Sequence, residues 1–388
     1  MFKLKTLKDI SVENKRVLMR VDFNVPLSND GKITDDFRIA KTIPTIEYLI
    51  NKGAKIILMT HFGRPKGKRT DKFKTDIIQD KLFEYLDYSI IKAPGCIEKG
   101  IKDWTEQMQP GEILLLENLR FYPGEEKNSL VFAKKLAQLG DIYVNEAFGA
   151  SHRNHASIVG VPKFLPSVIG FLFEKEIEEL NRVLYETKHP LVIIIGGAKP
   201  LTKVKVINKF LKKADKILLG GVMANTIFAA AGLEVGKSLV DKASFGEIKK
   251  IDLSNPKLIL PTDLVCKNEH ISIREIDKIE KDECIFDIGP KSVKLFSSFI
   301  KSAETIVWNG PLGLVEEEPF DKASKVIAEV IAKNKKTYSI IGGGDTVGFI
   351  NQLKLADKYN YVSIGGGAML EYLVNETLPG IEALKANS

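Results

Sequence analysis

Strand–helix alternation predicts an α/β chain with two doubly wound, parallel-sheet domains joined by a helical hinge and ligands in the interdomain cleft. Three observations carry this reading. Ten short apolar runs recur along the 388 residues. Amphipathic stretches of helical period lie between them. The residues just after the runs change from cations in the first half to glycines in the second. Continuously apolar, β-branched runs read as strands covered on both faces, which is the pattern of parallel sheets flanked by helices.

The runs are RVLMRV (16–21), KIILM (55–59), EILLL (112–116), DIYV (141–144), LVIII (191–195), KILLG (216–220), KLIL (257–260), TIVW (305–308), YSII (338–341) and YVSI (361–364). Between the first two, Ile39, Ile43, Ile46 and Ile50 recur at helical spacing behind Asp35 and Asp36, whose charge suits a helix start. Phe320, Ala323, Ile327 and Val330 repeat the pattern. The chain divides into a first domain at 1–172, a hinge helix at 173–190 on the charged stretch before LVIII, and a second domain at 191–365. A tail at 366–388 follows the last run, and pattern alone does not say where it packs.

Composition narrows the classes. The net charge is +7, carried by lysines spread along the chain rather than gathered in a tail. That describes a solvated surface, and no aromatic or basic recognition stripe supports nucleic-acid binding. Cys96, Cys266 and Cys284 stand far apart without zinc-site spacing, as expected of a reducing, cytoplasmic setting. The start MFKLKTLKDISVENKR lacks the apolar core of a signal peptide, and no run approaches the ~20 residues of a membrane span.

Ligands of open α/β sheets bind beyond the carboxyl ends of strands. There the first half places Asp22, Phe23 and Asn24; His61, Phe62, Gly63 and Arg64; Arg120; and His152, Arg153 and His155, while Arg38 opens the first helix. Guanidinium forks suit phosphate and carboxylate, each charge-assisted bond contributing roughly 1.5–3 kcal/mol. The set therefore reads as a pocket for a small, multiply anionic ligand. Singly, each arginine could cap a helix or pair with a local acid, Asp22 and Asn24 could form a turn, and His152 with His155 could ligate a metal. In the second half the runs enter GGAKPLTK, GVMANT, NGPLGLVE, GGGDT and GGGAM. Glycine lets backbone N–H groups approach phosphate, and the helix after each loop adds its dipole. Lys199 and Lys203 add point charges, and Asp345 suits Mg²⁺ carried by a nucleotide. AGLEVGKS (231–238) and GGGDTVG (342–348) miss the P-loop and dinucleotide patterns at position 231 and in glycine spacing. No Ser/His/Asp or Cys/His nucleophile is evident, and phosphoryl transfer requires none.

RVDFNVPL, TDDFRI, THFGRPKG, LLLENLRF, VNEAFGASHRNHAS, GFLFEKE, IGGAK, WNGPLG, IGGGDT and SIGGGAMLE resemble, in order and spacing, the signature segments of the phosphoglycerate kinases. The resemblance implies reversible phosphoryl transfer from 1,3-bisphosphoglycerate to MgADP by a monomer that closes by hinge bending and whose tail, 366–388, docks on the first domain. It implies 3-phosphoglycerate contacts at Asp22, Phe23, Asn24, His61, Phe62, Gly63, Arg64, Arg120 and Arg153, with Arg38 neutralising the transferring group. It implies nucleotide contacts at Lys203, Gly289, Asn309, Pro311, Glu316 (ribose), Gly343, Gly344, Asp345 (Mg²⁺) and Thr346. Lys199 follows the transferred group, and Gly343 and Gly366 supply helix N-termini at the transfer point. The chain departs from the family pattern at Pro200, Thr202, Ile364, Ala323, Ser324 and Glu146. An alternative expectation arises from Pro200, Thr202 and Ile364: a ligand-binding homologue with impaired turnover.

Overall fold

The computed structural model describes residues 4–386; residues 1–3 and 387–388, the outer ends of the expected first domain and tail, lie outside the described residues. The chain forms two compact units, one comprising the chain up to Glu178 with the segment from Thr377, the other Glu179–Glu376.

In the first unit, β1 (Arg16–Arg20), β2 (Lys55–Met59), β3 (Ile90–Lys92), β4 (Ile113–Leu115), β5 (Ile142–Asn145) and β6 (Ser167–Ile169) form one sheet in the order β3-β4-β2-β1-β5-β6. Every pairing is parallel. The chain leaves β1 toward β2 on one side and later adds β5 on the other, so a switch point lies beside the end of β1. Val17, Met19, Ile56, Leu58, Ile113 and Val144 form a core with Ile39, Ile43, Ile46 and Leu49 of the helix Phe37–Asn51. The isoleucine period of the sequence is therefore the buried face of that helix.

The second unit begins with β7 (Leu191–Ile195), β8 (Lys216–Leu219) and β9 (Leu258–Ile259). A three-stranded antiparallel sheet comes next: β10 (Asp263–Lys267), β11 (Ile271–Glu275) and β12 (Cys284–Ile288). Then come β13 (Thr305–Asn309), β14 (Tyr338–Gly342) and β15 (Tyr361–Val362), and the parallel sheet runs β15-β14-β13-β7-β8-β9. The helix Lys322–Lys333 buries Ala323, Ile327 and Ile331; Val330 is half-buried and Phe320 precedes the helix.

The predicted boundaries move in two places. The expected hinge at 173–190 is a helix at Phe171–Tyr185, and the division between units falls inside it. The helix starts early because the Glu146 carboxylate accepts hydrogen bonds from Leu172 N (3.0 Å) and Phe173 N (3.1 Å). The expected docking tail at 366–388 is divided. The helix Gly367–Asn375 belongs to the second unit, where Met369 lies so close to Gly342 that a Cβ there would stand 2.1 Å from its sulfur. Only the chain from Thr377 lies with the first unit. There Gly380 N donates to Ser151 O (2.9 Å), and Leu378, Ile381 and Leu384 are buried.

Candidate active site

In the first unit the segments after β1, β2, β4 and β5 carry the polar residues singled out by their position. Asp22 is buried and its Oδ2 accepts from Arg38 Nη1 at 3.0 Å. Arg38 Nη1 also lies 3.3 Å from Asn24 O. Asn24 Oδ1 accepts from Gly63 N at 2.8 Å, tying the loops after β1 and β2 together. Arg120 Nη1 donates to Gly63 O at 2.8 Å. Arg153 Nε lies 3.2 Å from His152 Nε2. Arg64 is exposed and has no hydrogen bond or ion pair among the described residues. The rings of Phe23 and Phe62 are core side chains, so these two residues offer a ligand only their backbone.

An arginine that sequence position did not single out, Arg20 on β1, organises the interior of this site. It is fully buried; Nε donates to Ser157 Oγ (2.8 Å), Nη1 to Val21 O, and Nη2 lies 3.1 Å from His61 Nδ1. Guanidinium has no acceptor, so His61 Nδ1 accepts and the ring proton sits on Nε2. Burial, then Arg20, Arg120, Arg153 and Arg38, hold the His61 imidazole well below its usual range, so it is neutral. Burial and neighbouring guanidiniums likewise bring His152 to about 4 and His155 to about 3. A cation between these histidines would face the same guanidiniums, which disfavours the metal-ligand reading. Burial and Arg153 lower Arg120 to about 10. Arg120 Nε is buried without a hydrogen bond, although Glu126 Oε1 lies 3.1 Å away. A buried cluster of positive groups with an unused donor is a site suited to an anion.

In the second unit a cavity of about 370 Å³ is walled by the loops after β7, β8 and β13 and by residues 284–288 on and around β12. Of the predicted nucleotide residues, Pro311, Glu316 and Asp345 line it. Leu264, Cys284, Ile285 and Phe286 supply an apolar wall that sequence reading missed, because the antiparallel sheet carrying it was not predicted, and Leu239 adds to it from outside that sheet. Lys237 also lines the cavity; the AGLEVGKS turn that resembled a P-loop is thus a wall of this site.

Lys203, Asn309, Gly343, Gly344 and Thr346 are not lining residues of that cavity; contacts join most of them. Lys203 is buried, and its ammonium donates to Gly196 O. A Cβ on Gly310 would stand 2.6 Å from Lys203 Nζ, and Gly310 has φ +95°, so only glycine fits there. Gly310 N donates to Thr346 Oγ1 (2.8 Å), Gly310 O accepts from Trp308 Nε1 (2.8 Å), and Asn309 packs against Gly343. Gly343 and Gly366 are the residues immediately before the helices Gly344–Gln352 and Gly367–Asn375. Gly289 holds the same place before the helix Pro290–Ser302. Burial lowers Lys203 to about 8, opposed by Asp345 and reinforced by Lys199.

The departures from the family pattern fit locally. Pro200 is the first residue of the helix Pro200–Phe210, where a missing N–H removes no helical bond. Thr202 Oγ1 donates to Lys199 O (3.0 Å) on the exposed side of that turn. Ile364 is buried, and Ser324 Oγ accepts from Leu312 N (2.9 Å). Nothing in this geometry supports impaired turnover.

Comparison with known proteins gives the family. A family model described as phosphoglycerate kinase matches residues 7–376. The phosphoglycerate kinases of Pseudothermotoga lettingae and Dictyoglomus turgidum are each 45% identical to the chain, covering 98% of both sequences. Among solved structures, phosphoglycerate kinase from Coxiella burnetii superposes with a TM-score of 0.82 at 35% identity, and that from Pyrococcus horikoshii with 0.87 at 31%, each covering 99% of both chains. With its motifs at the strand ends of two parallel sheets and this similarity along the whole length, the chain belongs to the phosphoglycerate kinase family.

Proposed function

We propose that these residues divide the glycolytic phosphoglycerate kinase reaction between them. The P–O bond to the carboxyl oxygen of 1,3-bisphosphoglycerate breaks, and a bond to the terminal phosphate oxygen of ADP forms, giving 3-phosphoglycerate and ATP. Arg64, Arg120 and Arg153 take the 3-phosphate, Asp22, Asn24 and the Nε2–H of His61 take the carboxyl and hydroxyl end, and backbone groups of Phe23, Phe62 and Gly63 line the same loops. Arg38, oriented by Asp22, neutralises the transferring group. Lys203 meets the nucleotide phosphates, Lys199 follows the transferred group, and the helix N-termini at Gly343 and Gly366 stabilise the charge that spreads over its oxygens. Glu316 receives the ribose; Gly289, Asn309, Pro311, Gly344 and Thr346 shape the nucleotide loops.

Asp345 is exposed at a helix start, and among the described residues no cluster of three His, Cys, Asp or Glu side chains could hold a resident ion. A lone carboxylate suits Mg²⁺ that arrives on the nucleotide, where the ion neutralises phosphate charge. We also propose a cytoplasmic monomer in which hinge bending brings the two bound substrates together. No helix among the described residues is long and apolar enough to cross a membrane.

The observation that carries these roles is the gathering of Arg38, Arg120 and Arg153 around His61 at the strand ends of one sheet, with Arg38 held by Asp22. A coupled assay of wild type, Arg38→Ala and Lys203→Ala tests them. Each substitution should lower kcat at least about 100-fold, by loss of transition-state charge stabilisation. Activity insensitive to both would exclude the assignment.

A further inference from the structure

Asn118, just after β4, has no place in the roles above. Its side chain is fully buried. Oδ1 accepts from the backbone N–H of Phe62 (3.1 Å) and of Arg120 (3.0 Å). Nδ2 donates to the carbonyls of Phe62 (2.6 Å) and Phe73 (2.9 Å). The partners are backbone groups of fixed polarity, so the amide can face only one way, and all four of its hydrogen-bonding positions are used.

One side chain thereby joins three segments: the 61–64 loop, the turn bearing Arg120, and the turn Asp71–Phe73. Contacts around it leave little slack. The rings of Phe62 and Phe73 meet edge-on at 6.1 Å. Phe73 also fills the space over Gly63, where a Cβ would stand 2.2 Å from Cε1. Arg120 Nη1 returns to Gly63 O at 2.8 Å. The backbone of Asn118 is itself held by Glu117, whose Oε1 accepts from Asn118 N (2.8 Å) and from Thr75 N (2.9 Å), with Lys92 Nζ 3.1 Å from Oε2.

We infer that Asn118 is a positioning residue for the acid substrate, setting the spacing between the His61–Arg64 loop and Arg120 without touching the substrate. The inference rests on the acid-site reading above. Its chemistry is specific to an amide. Leucine would leave two N–H and two C=O groups buried and unpaired. Aspartate restores the two acceptors, but its carboxylate faces two carbonyl oxygens. Protonation of that aspartate returns one donor, and both burial and the facing carbonyls raise the pH at which this happens.

The test compares wild type with Asn118→Leu, Asn118→Asp and Arg120→Ala. It measures KM for 3-phosphoglycerate and for ATP separately, together with the calorimetric Kd of 3-phosphoglycerate. Both Asn118 variants should weaken 3-phosphoglycerate about 10-fold or more while KM for ATP stays within about 2-fold. Asn118→Asp should recover part of its loss, relative to wild type at the same pH, on going from about pH 8 to about pH 6. Equal rises in both KM values, or an Asn118→Asp profile parallel to wild type, would reduce Asn118 to general scaffolding and overturn the inference. Normal 3-phosphoglycerate affinity in the Asn118 variants with weakened affinity in Arg120→Ala would overturn it while leaving the acid-site reading intact. Normal affinity in Arg120→Ala would overturn that reading itself. Should Asn118→Leu not fold, Asn118→Asp read across pH decides the matter.

Discussion

Lys203 holds an ammonium where burial disfavours charge, so its protonation is coupled to what binds beside it. Burial brings it to about 8, and phosphate oxygens at the same place would raise it again. Below about pH 7 the free protein already carries the proton, and nucleotide binding takes up none at this residue. Above about pH 8 the free amine is largely neutral, so ADP should bind with proton uptake and with an affinity that falls as pH rises. Calorimetry at about pH 9 in two buffers of different ionisation heat reads this directly. A buffer-independent heat would remove Lys203 from the phosphate site, and Lys203→Met should abolish any dependence seen in wild type. At the acid site the same physics goes further. His61, surrounded by guanidiniums, is a neutral donor rather than a titrating group, so the positive charge there belongs to the arginines.

Elements are placed by carboxylates whose partners are backbone groups far along the chain. Glu146 is the clearest case: it starts the helix Phe171–Tyr185 and also accepts from Thr45 Oγ1. Burial raises it to about 7, from 4.5, despite these bonds. Its neutral form is therefore favoured by folding. The stability it contributes is fully present below about pH 4.5 and is lost as pH rises through about 7. Glu146→Gln, which cannot ionise, should gain stability relative to wild type between about pH 5 and pH 7, as read by urea unfolding at both. A gap that does not change with pH would contradict the raised pKa. The same distance in sequence limited what could be read from it. Strands such as LVIII and KIILM were legible because burial on both faces makes them uniformly apolar. β3 and β6, of three residues each, carry too little pattern. β11 alternates with exposed Ile271 and Ile273, the opposite of the signal sought, and with its sheet went most of the apolar wall of the second unit's cavity. The charged residues that gather beyond the first sheet were legible from their place after the strands. Arg20, Glu117 and Asn118 were not, since their meaning lies in partners brought near only by folding.

For the molecule as a whole, the return of the chain from Thr377 makes the first unit depend on residues separated from it in sequence by the entire second unit. Leu378, Ile381 and Leu384 are buried, and Gly380 sits so tightly on Ser151 that a Cβ would stand 2.8 Å from its Oγ. The segment it covers runs directly into His152 and Arg153. Truncation after Glu376 should cost several kcal/mol, at roughly 1.5–3 kcal/mol for each buried aliphatic side chain. It should lower the unfolding temperature of the first unit and weaken 3-phosphoglycerate while sparing nucleotide affinity. Scanning calorimetry and titration of each ligand would check this, and an unchanged unfolding profile would mean the segment is dispensable. The two tryptophans are divided between the units in a useful way. Trp104 belongs to the first and is 44% exposed; Trp308 belongs to the second and is fully buried, with its indole N–H on the carbonyl of Gly310, beside Lys203. The protein thus carries one water-facing and one shielded fluorophore, a red-emitting and a blue-emitting one, so light alone can report separately on each half.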